Sequence, residues 1–218
     1  MAVPEIMLVD YHKGNLLSVA RSLEDVGARV TVTDDPAQIS GARAVVVPGV
    51  GAFEDAMDYL NESGEGEAIV GAIAGGATFL GICLGLHLLF ERGSERSDGS
   101  EGDFVAGLGV LSGSVTRLRS GRLKVPHVGW NQLYLTELGK ECPLYAGVPV
   151  GANVYFTHSF ALDDDVSDDI VTTRSHYTRS FGSGVWSDNV YGVQFHPEKS
   201  SATGLAILQN FVALAARA

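Results

Sequence analysis

The 218-residue chain reads as a single-domain α/β protein. A mostly parallel central sheet is flanked by helices and gains an antiparallel extension in the second half. Three observations predict this. Strand-like and helix-like runs alternate through the first half, which is the pattern of a parallel sheet with right-handed crossovers. Two short apolar runs, Ala44–Val47 and Thr78–Ile82, do not alternate with polar residues and so read as strands buried on both faces. From Leu108 onward the period changes to short strand-like runs separated by turns.

Ile6-Met7-Leu8-Val9 is the first strand, ending at Asp10. Leu16, Val19, Ala20 and Leu23 then recur at helical spacing, and Gly27 ends that helix. Arg29 to Thr33 is a second strand, Asp34-Asp35-Pro36 a turn, and Ala44 to Val47 the third strand. Pro48-Gly49-Val50-Gly51-Ala52-Phe53 follows at the carboxyl end of that strand, the edge where open α/β sheets bind ligands. Its glycines can present backbone N–H groups to an oxyanion, or form a plain strand-to-helix turn. It lacks Gly-Lys-Ser/Thr and is not a phosphate loop of the Walker type. Glu54 to Leu60 begins a helix, Asn61 to Glu67 is a polar break, and Ala68 to Ala74 is helical again.

Ala68 to Phe90 contains no Asp, Glu, Lys or Arg and is long enough to span a bilayer. Gly75-Gly76 divides it into helix end, turn, buried strand and helix start, so it reads as sheet core. Glu91 to Asp103 is polar and glycine-rich, a surface loop whose charges are read as solvation. Later strand-like runs are Leu108–Leu111, Ser114–Leu118, Leu123–Val125, Gln132–Leu135, Asn153–Phe160, Ile170–Arg174 and Val185–Val193. A helix from about Ala202 closes the chain, with Leu205, Leu208, Phe211, Val212 and Ala215 on one face. No linker or internal repeat divides residues 1–218.

The net charge of −11 argues against nucleic acid or an anionic membrane as partner, since both require a basic face. Two cysteines, Cys83 and Cys142, stand in unrelated settings and indicate no disulfide framework. Met1-Ala2-Val3-Pro4-Glu5 lacks the basic region and apolar core of a signal peptide, so a cytoplasmic location is expected.

The chemistry centres on Gly81-Ile82-Cys83-Leu84-Gly85. Strand, Gly-x-Cys-x-Gly and helical Leu84-Gly85-Leu86-His87-Leu88-Leu89-Phe90 follow one another as in a nucleophile elbow. Gly81 and Gly85 leave room where strand and helix backbones approach. A cysteine at a helix N-terminus is favoured as thiolate, although a small buried cysteine also serves as a plain hydrophobe. A cysteine hydrolase needs a base and a group to orient it. Of six histidines, His12, His127, His158 and His176 are read as lacking an acid on the same strand face. His87 reads as a packing or substrate contact. His196-Pro197-Glu198 differs: residues two apart in extended chain project to one side, so imidazole and carboxylate can pair. There is no His-x-x-x-His and no paired cysteine, so no metal site and no cofactor are expected.

These motifs resemble the class I (triad) glutamine amidotransferases, a flavodoxin-like fold, and more narrowly the glutaminase subunits of imidazole glycerol phosphate synthases. Supporting stretches are Asp10-Tyr11-x-x-Gly14-Asn15-Leu16-x-Ser18-Val19, the Pro48–Phe53 turn, Val125-Pro126-His127-Val128-Gly129-Trp130-Asn131, Tyr155-Phe156-Thr157-His158-Ser159-Phe160 and Gln194-Phe195-His196-Pro197-Glu198-Lys199-Ser200. The resemblance implies Cys83 as nucleophile, His196 as base and acid, and Glu198 as its orienting group. It further implies main-chain donors at Gly49, Val50, Gly51 and Leu84 for an oxyanion, and His87, His158, Ser159 and Phe160 around the substrate, L-glutamine. Asn15, Trp130 and Lys199 match a partner-facing surface. The partner implied is a cyclase subunit in a heterodimer, which takes the ammonia to imidazole glycerol phosphate and aminoimidazole carboxamide ribotide in histidine biosynthesis. A glutaminase of another amidotransferase pathway and a non-catalytic cyclase-binding scaffold are the alternatives. One departure stands out: the family usually carries Gln where this chain has His87, and an imidazole cannot copy a carboxamide's donor and acceptor pair.

Overall fold

A computed structural model describes residues 3–119, 121 and 123–217. Met1 and Ala2, the start of the segment read above for a signal peptide, lie outside the described residues. In chain order the elements are β1 (Glu5–Val9), α1 (Leu16–Asp25), β2 (Arg29–Thr33), α2 (Pro36–Ser40), β3 (Ala44–Gly49), α3 (Phe53–Ser63), α4 (Glu65–Ala74) and β4 (Thr78–Cys83). There follow α5 (Leu84–His87), β5 (Phe90–Glu95), β6 (Glu101–Ala106), β7 (Leu111–Arg117), β8 (His127–Leu135) and α6 (Glu137–Glu141). The chain ends with β9 (Ala152–His158), β10 (Phe160–Leu162), β11 (Val171–His176), β12 (Ser180–Ser187), β13 (Val190–Val193) and α7 (Ser201–Ala215).

Nine strands form one sheet in the order β2-β1-β3-β4-β13-β12-β11-β8-β9. Pairing is parallel from β2 to β13 and antiparallel from there to β9. The expected mostly parallel α/β sheet with an antiparallel extension is therefore present. The buried run of β3 explains itself in this setting. Ala44 and Val46 join the core under α1 and α7, whereas Val45 and Val47 join the core under α3 and α4. A strand covered on both faces has no solvent side to make polar.

The structure also differs from the sequence reading in several places. A second sheet of four strands, β10-β7-β5-β6, packs beside the first. Glu91–Asp103, expected as a loop, is largely the β5–β6 hairpin of that sheet. Asn61–Glu67 is not a polar break: α3 and α4 are separated by Gly64 alone, at φ 79°. Val185–Val193 is two strands around Asp188, at φ 50°. Leu123–Val125 and Leu108–Val110 form no strand. No helix among the described residues is long and apolar enough to cross a membrane; Ala68–Phe90 divides into α4, a turn, β4, α5 and the first residue of β5.

The topology places two chain segments side by side. β4 and β13 are parallel neighbours, with Ile82 in register with Val193. Cys83 ends the first and His196 follows the second, so both emerge at the same carboxyl edge.

Candidate active site

Cys83 sits at φ 55°, ψ −107°, between β4 and the single turn of α5. A non-glycine residue there carries roughly 1–3 kcal/mol of backbone strain, and it persists only if the surroundings hold it. They do. A Cβ on Gly81 would stand 2.5 Å from the Gly85 carbonyl oxygen, and one on Gly85 would stand 1.8 Å from that of Val47. The strand and turn thus close on each other only as glycines, as the Gly-x-Cys-x-Gly spacing predicts. The helix expected from Leu84 to Phe90 stops at His87, because Phe90 already pairs in the second sheet.

His196 and Glu198 pair as expected, Nδ1 to Oε1 at 2.8 Å, with both side chains buried. The geometry that brings them together is not extended chain: Pro197–Lys199 is a 3₁₀ turn, and this tightening brings the carboxylate back under the ring. The His196 backbone is fixed too. Its N–H donates to the Tyr155 carbonyl at 2.9 Å. The Ser200 hydroxyl donates to the His196 carbonyl at 2.6 Å and accepts the Tyr155 N–H at 2.9 Å. Nε2 on the far side of the ring is buried and has no hydrogen-bond partner among the described residues. Burial lowers the His196 pKa, but the Cys83 sulfur and the Glu198 carboxylate outweigh it and hold the imidazolium up to about 10. The cysteine charge acts on this ring more strongly than the carboxylate does, so sulfur and imidazole are close neighbours in the site.

Cys83 opens on a cleft between the two sheets, bordered by Val50, Gly51, Leu84, His87, Glu95 and the His158–Phe160 segment. Gly49 pairs with Cys83 across β3 and β4, and a Cβ there would stand 1.8 Å from the buried Tyr11 hydroxyl. His158-Ser159-Phe160 is where the chain leaves the large sheet as β9 and enters the small one as β10. His158 Nδ1–H donates to the Phe160 carbonyl at 2.8 Å, and His127 lies 3.0 Å from the other His158 nitrogen. Burial lowers the pKa of both rings, so both are neutral near pH 7 and brace this segment.

Two residues of the site, Glu95 in the cleft and Gln194 buried behind it, were not assigned from sequence. Glu95, inside the stretch read as solvated loop, faces the cleft and accepts the Phe53 N–H at 3.3 Å. Burial pushes its carboxyl up to about 7. Gln194, part of the quoted Gln-x-His-Pro-Glu stretch but given no role, is buried against both Cys83 and His87. A polar residue closing an apolar strand was the available signal. The reading of His12 needs correction: Asp10 stands two residues away and lies 3.5 Å from its Nδ1, an exposed loop pair remote from the triad chemistry. Cys142 is buried, and burial pushes its thiol up to about 11, so it behaves as core. Asn15 and Lys199 border the same small depression as Gly49, His196 and Glu198. Trp130 is 56% exposed on β8, edge-on to Tyr155 at 6.0 Å.

The glutamine amidotransferase class-I family model matches residues 7–215. The chain is 46% identical over 214 residues to imidazole glycerol phosphate synthase subunit HisH of Gloeobacter violaceus, covering 98% of this chain and 91% of that protein. It is also 46% identical over 206 residues to the subunit of the same name from Moorella thermoacetica, covering 94% and 93%. Among solved structures, PurLQS from Thermotoga maritima superposes with a TM-score of 0.72 at 19% identity, over 98% of this chain and 99% of that one, a likeness of fold. Sequence, topology and cleft agree: the chain belongs to the class-I glutamine amidotransferase family and, within it, to the imidazole glycerol phosphate synthase subunit HisH group.

Proposed function

We propose that this chain hydrolyses L-glutamine at Cys83 and passes the ammonia to a cyclase subunit. The observation that carries it is the convergence of Cys83, His196 and Glu198 on one sheet edge beside a cleft. The thiolate attacks the side-chain amide carbon, and the tetrahedral oxyanion forms against backbone N–H groups of Leu84 and the Gly49-Val50-Gly51 turn. His196, protonated on Nε2, gives that proton to the departing nitrogen, leaving a γ-glutamyl thioester and ammonia. The neutral ring then takes a proton from water, whose oxygen attacks the thioester; collapse expels the thiolate, restoring the thiolate–imidazolium pair, and glutamate leaves with its new carboxyl proton lost to solvent. Glu198 holds the imidazole in the tautomer this requires.

The cleft suits an amino acid. The Glu95 carboxyl, desolvated by more than the Phe53 N–H and the Arg117 charge offset, regains its charge when an ammonium group is seated beside it. It is the group for the α-ammonium of glutamine. The His158–Phe160 main chain borders the opposite wall. The cyclase partner is supported by the name the relatives carry, synthase subunit, and by Trp130, Asn15 and Lys199 exposed around the triad edge. Ammonia released into water is mostly protonated and useless as a nucleophile, so direct transfer within a complex is the chemical reason for a second subunit.

The test is glutamine hydrolysis by the purified chain, alone and with the cyclase subunit and its nucleotide ligand. Slow release alone and fast release in the complex is expected. Full-rate release alone overturns the partner requirement, and no release under any condition overturns the glutaminase assignment.

A further inference from the structure

Gln194 lies just past β13 with its side chain wholly buried, and no step of the triad chemistry uses it. Its amide nitrogen donates to the Cys83 sulfur at 3.7 Å. Its amide oxygen lies 2.7 Å from His87 Nε2. A carbonyl oxygen only accepts, so the ring nitrogen facing it carries the hydrogen and donates. Burial lowers the His87 pKa to about 4, which leaves the ring neutral near pH 7 with its single N–H committed to Gln194.

Turning the amide end for end would set its oxygen, which only accepts, against the sulfur and would require the His87 ring to become the acceptor for its NH₂. With the hydrogen on Nε2, the His87 ring holds the amide oxygen and leaves the NH₂ toward the nucleophile. A donor aimed at sulfur gains when the sulfur becomes anionic, because a charge-assisted bond is roughly twice as strong as a neutral one. We infer that Gln194 holds the Cys83 sulfur and favours its thiolate, and that His87 acts as a positioning residue through that amide. The inference rests on Cys83 as the nucleophile. It assigns His87 a duty toward the enzyme's own sulfur in addition to its place in the cleft wall.

Other groups also face the sulfur. His196 approaches from the turn after β13 and the Tyr11 hydroxyl from the loop after β1, each coupled to the Cys83 charge. The Thr157 carbonyl on β9 accepts the Sγ–H at 3.9 Å. His158 stands behind, coupled to His87 and His196. None of these contacts Gln194 through a recorded side-chain hydrogen bond among the described residues, so changing Gln194 leaves them in place.

The experiment is the pH dependence of Cys83 alkylation by iodoacetamide on the full chain, followed on the Cys83 peptide by mass spectrometry. The midpoint in Gln194→Leu is expected to rise by about one pH unit, a roughly tenfold loss of thiolate at a given pH. His87→Leu is expected to move it the same way, and His87→Gln, which can still donate to the amide oxygen, to restore it. Should Gln194→Leu not fold, Gln194→Glu replaces the donor by an anionic acceptor of the same shape and is expected to raise the midpoint further. Midpoints unchanged from wild type in either Gln194 variant overturn the inference. Alkylation needs no glutamine, so a chain that hydrolyses glutamine yet shows no shift sinks this inference alone. A chain that shows the shift yet never hydrolyses glutamine supports it and sinks the substrate assignment instead.

Discussion

Single side chains in this molecule carry large electrostatic consequences. His196 is held protonated up to about 10 by the Cys83 charge and Glu198 working against burial. A raised histidine pKa stabilises the fold fully below its unfolded value near 6.5, and that stability is lost as pH rises toward 10. Glu198→Gln removes one of the two supports, so its imidazolium deprotonates at lower pH. The variant is expected to lose about 100-fold in kcat, and the alkaline limb of its pH–rate profile to move to lower pH. Glu65 is raised for a different reason, burial of its carboxyl. It is buried at the start of α4, neither carboxylate oxygen has a hydrogen-bond partner among the described residues, and desolvation pushes it up to about 7. Its protonated form favours folding below about pH 4.5, and that contribution is lost as pH rises through 7. Glu65→Gln is therefore expected to be more stable than wild type by about 2 kcal/mol at pH 8 and equal to it below pH 4.5, as read by urea unfolding. Cys83 was legible from sequence because a strained turn with positive φ needs glycine on both sides, and that leaves a spaced pattern. Glu65 was not, because a Glu-Gly-Glu run reads as solvent-exposed until α3 and α4 close around it.

At the level of elements, the triad depends on how tightly α7 seats against the Pro197–Lys199 turn. Gly204 permits that contact: a Cβ there would stand 1.9 Å from the Pro197 carbonyl oxygen. Gly204→Ala forces the helix or the turn to shift, and overpacking of this kind costs about 1–3 kcal/mol. Because the shift lands on the segment between His196 and Glu198, kcat is expected to fall several-fold with KM little changed, measured by steady-state glutamine hydrolysis in the complex. The elements themselves were mostly legible. Buried β3 and β4 announce themselves as unbroken apolar runs, and α1 by its spacing and Gly27. The β5–β6 hairpin escaped because it is an edge of a small sheet. β6 is mostly exposed and β5 only half-buried, and the sheet that holds them is completed by β10, which lies well downstream in the chain. The His196–Glu198 pairing was foreseen through the wrong local geometry; a two-residue spacing serves a 3₁₀ turn as well as a strand when proline starts the turn.

On the scale of the whole molecule, the catalytic edge is assembled from both halves of the chain. Cys83 and the Gly49 turn come from the first half of the chain, and His196, Gln194 and the His158–Phe160 wall come from the second half. No local pattern shows such an arrangement; it follows only from β13 inserting beside β4. The same edge carries the exposed Trp130 ring, which rests on Tyr155, whose carbonyl holds His196. Trp130→Ala is expected to leave the isolated chain folded, with unchanged urea unfolding, and to weaken cyclase binding about tenfold or more, the usual cost of losing an aromatic anchor. Titration of the cyclase monitored by glutaminase activity reads this directly. The measurement that bears most directly on the central claim compares two nitrogen sources in the assembled complex carrying Cys83→Ala. The account predicts that imidazole glycerol phosphate formation from glutamine is lost while formation from added ammonium salt continues at the wild-type rate. Glutamine-dependent formation that persists in this variant would contradict it.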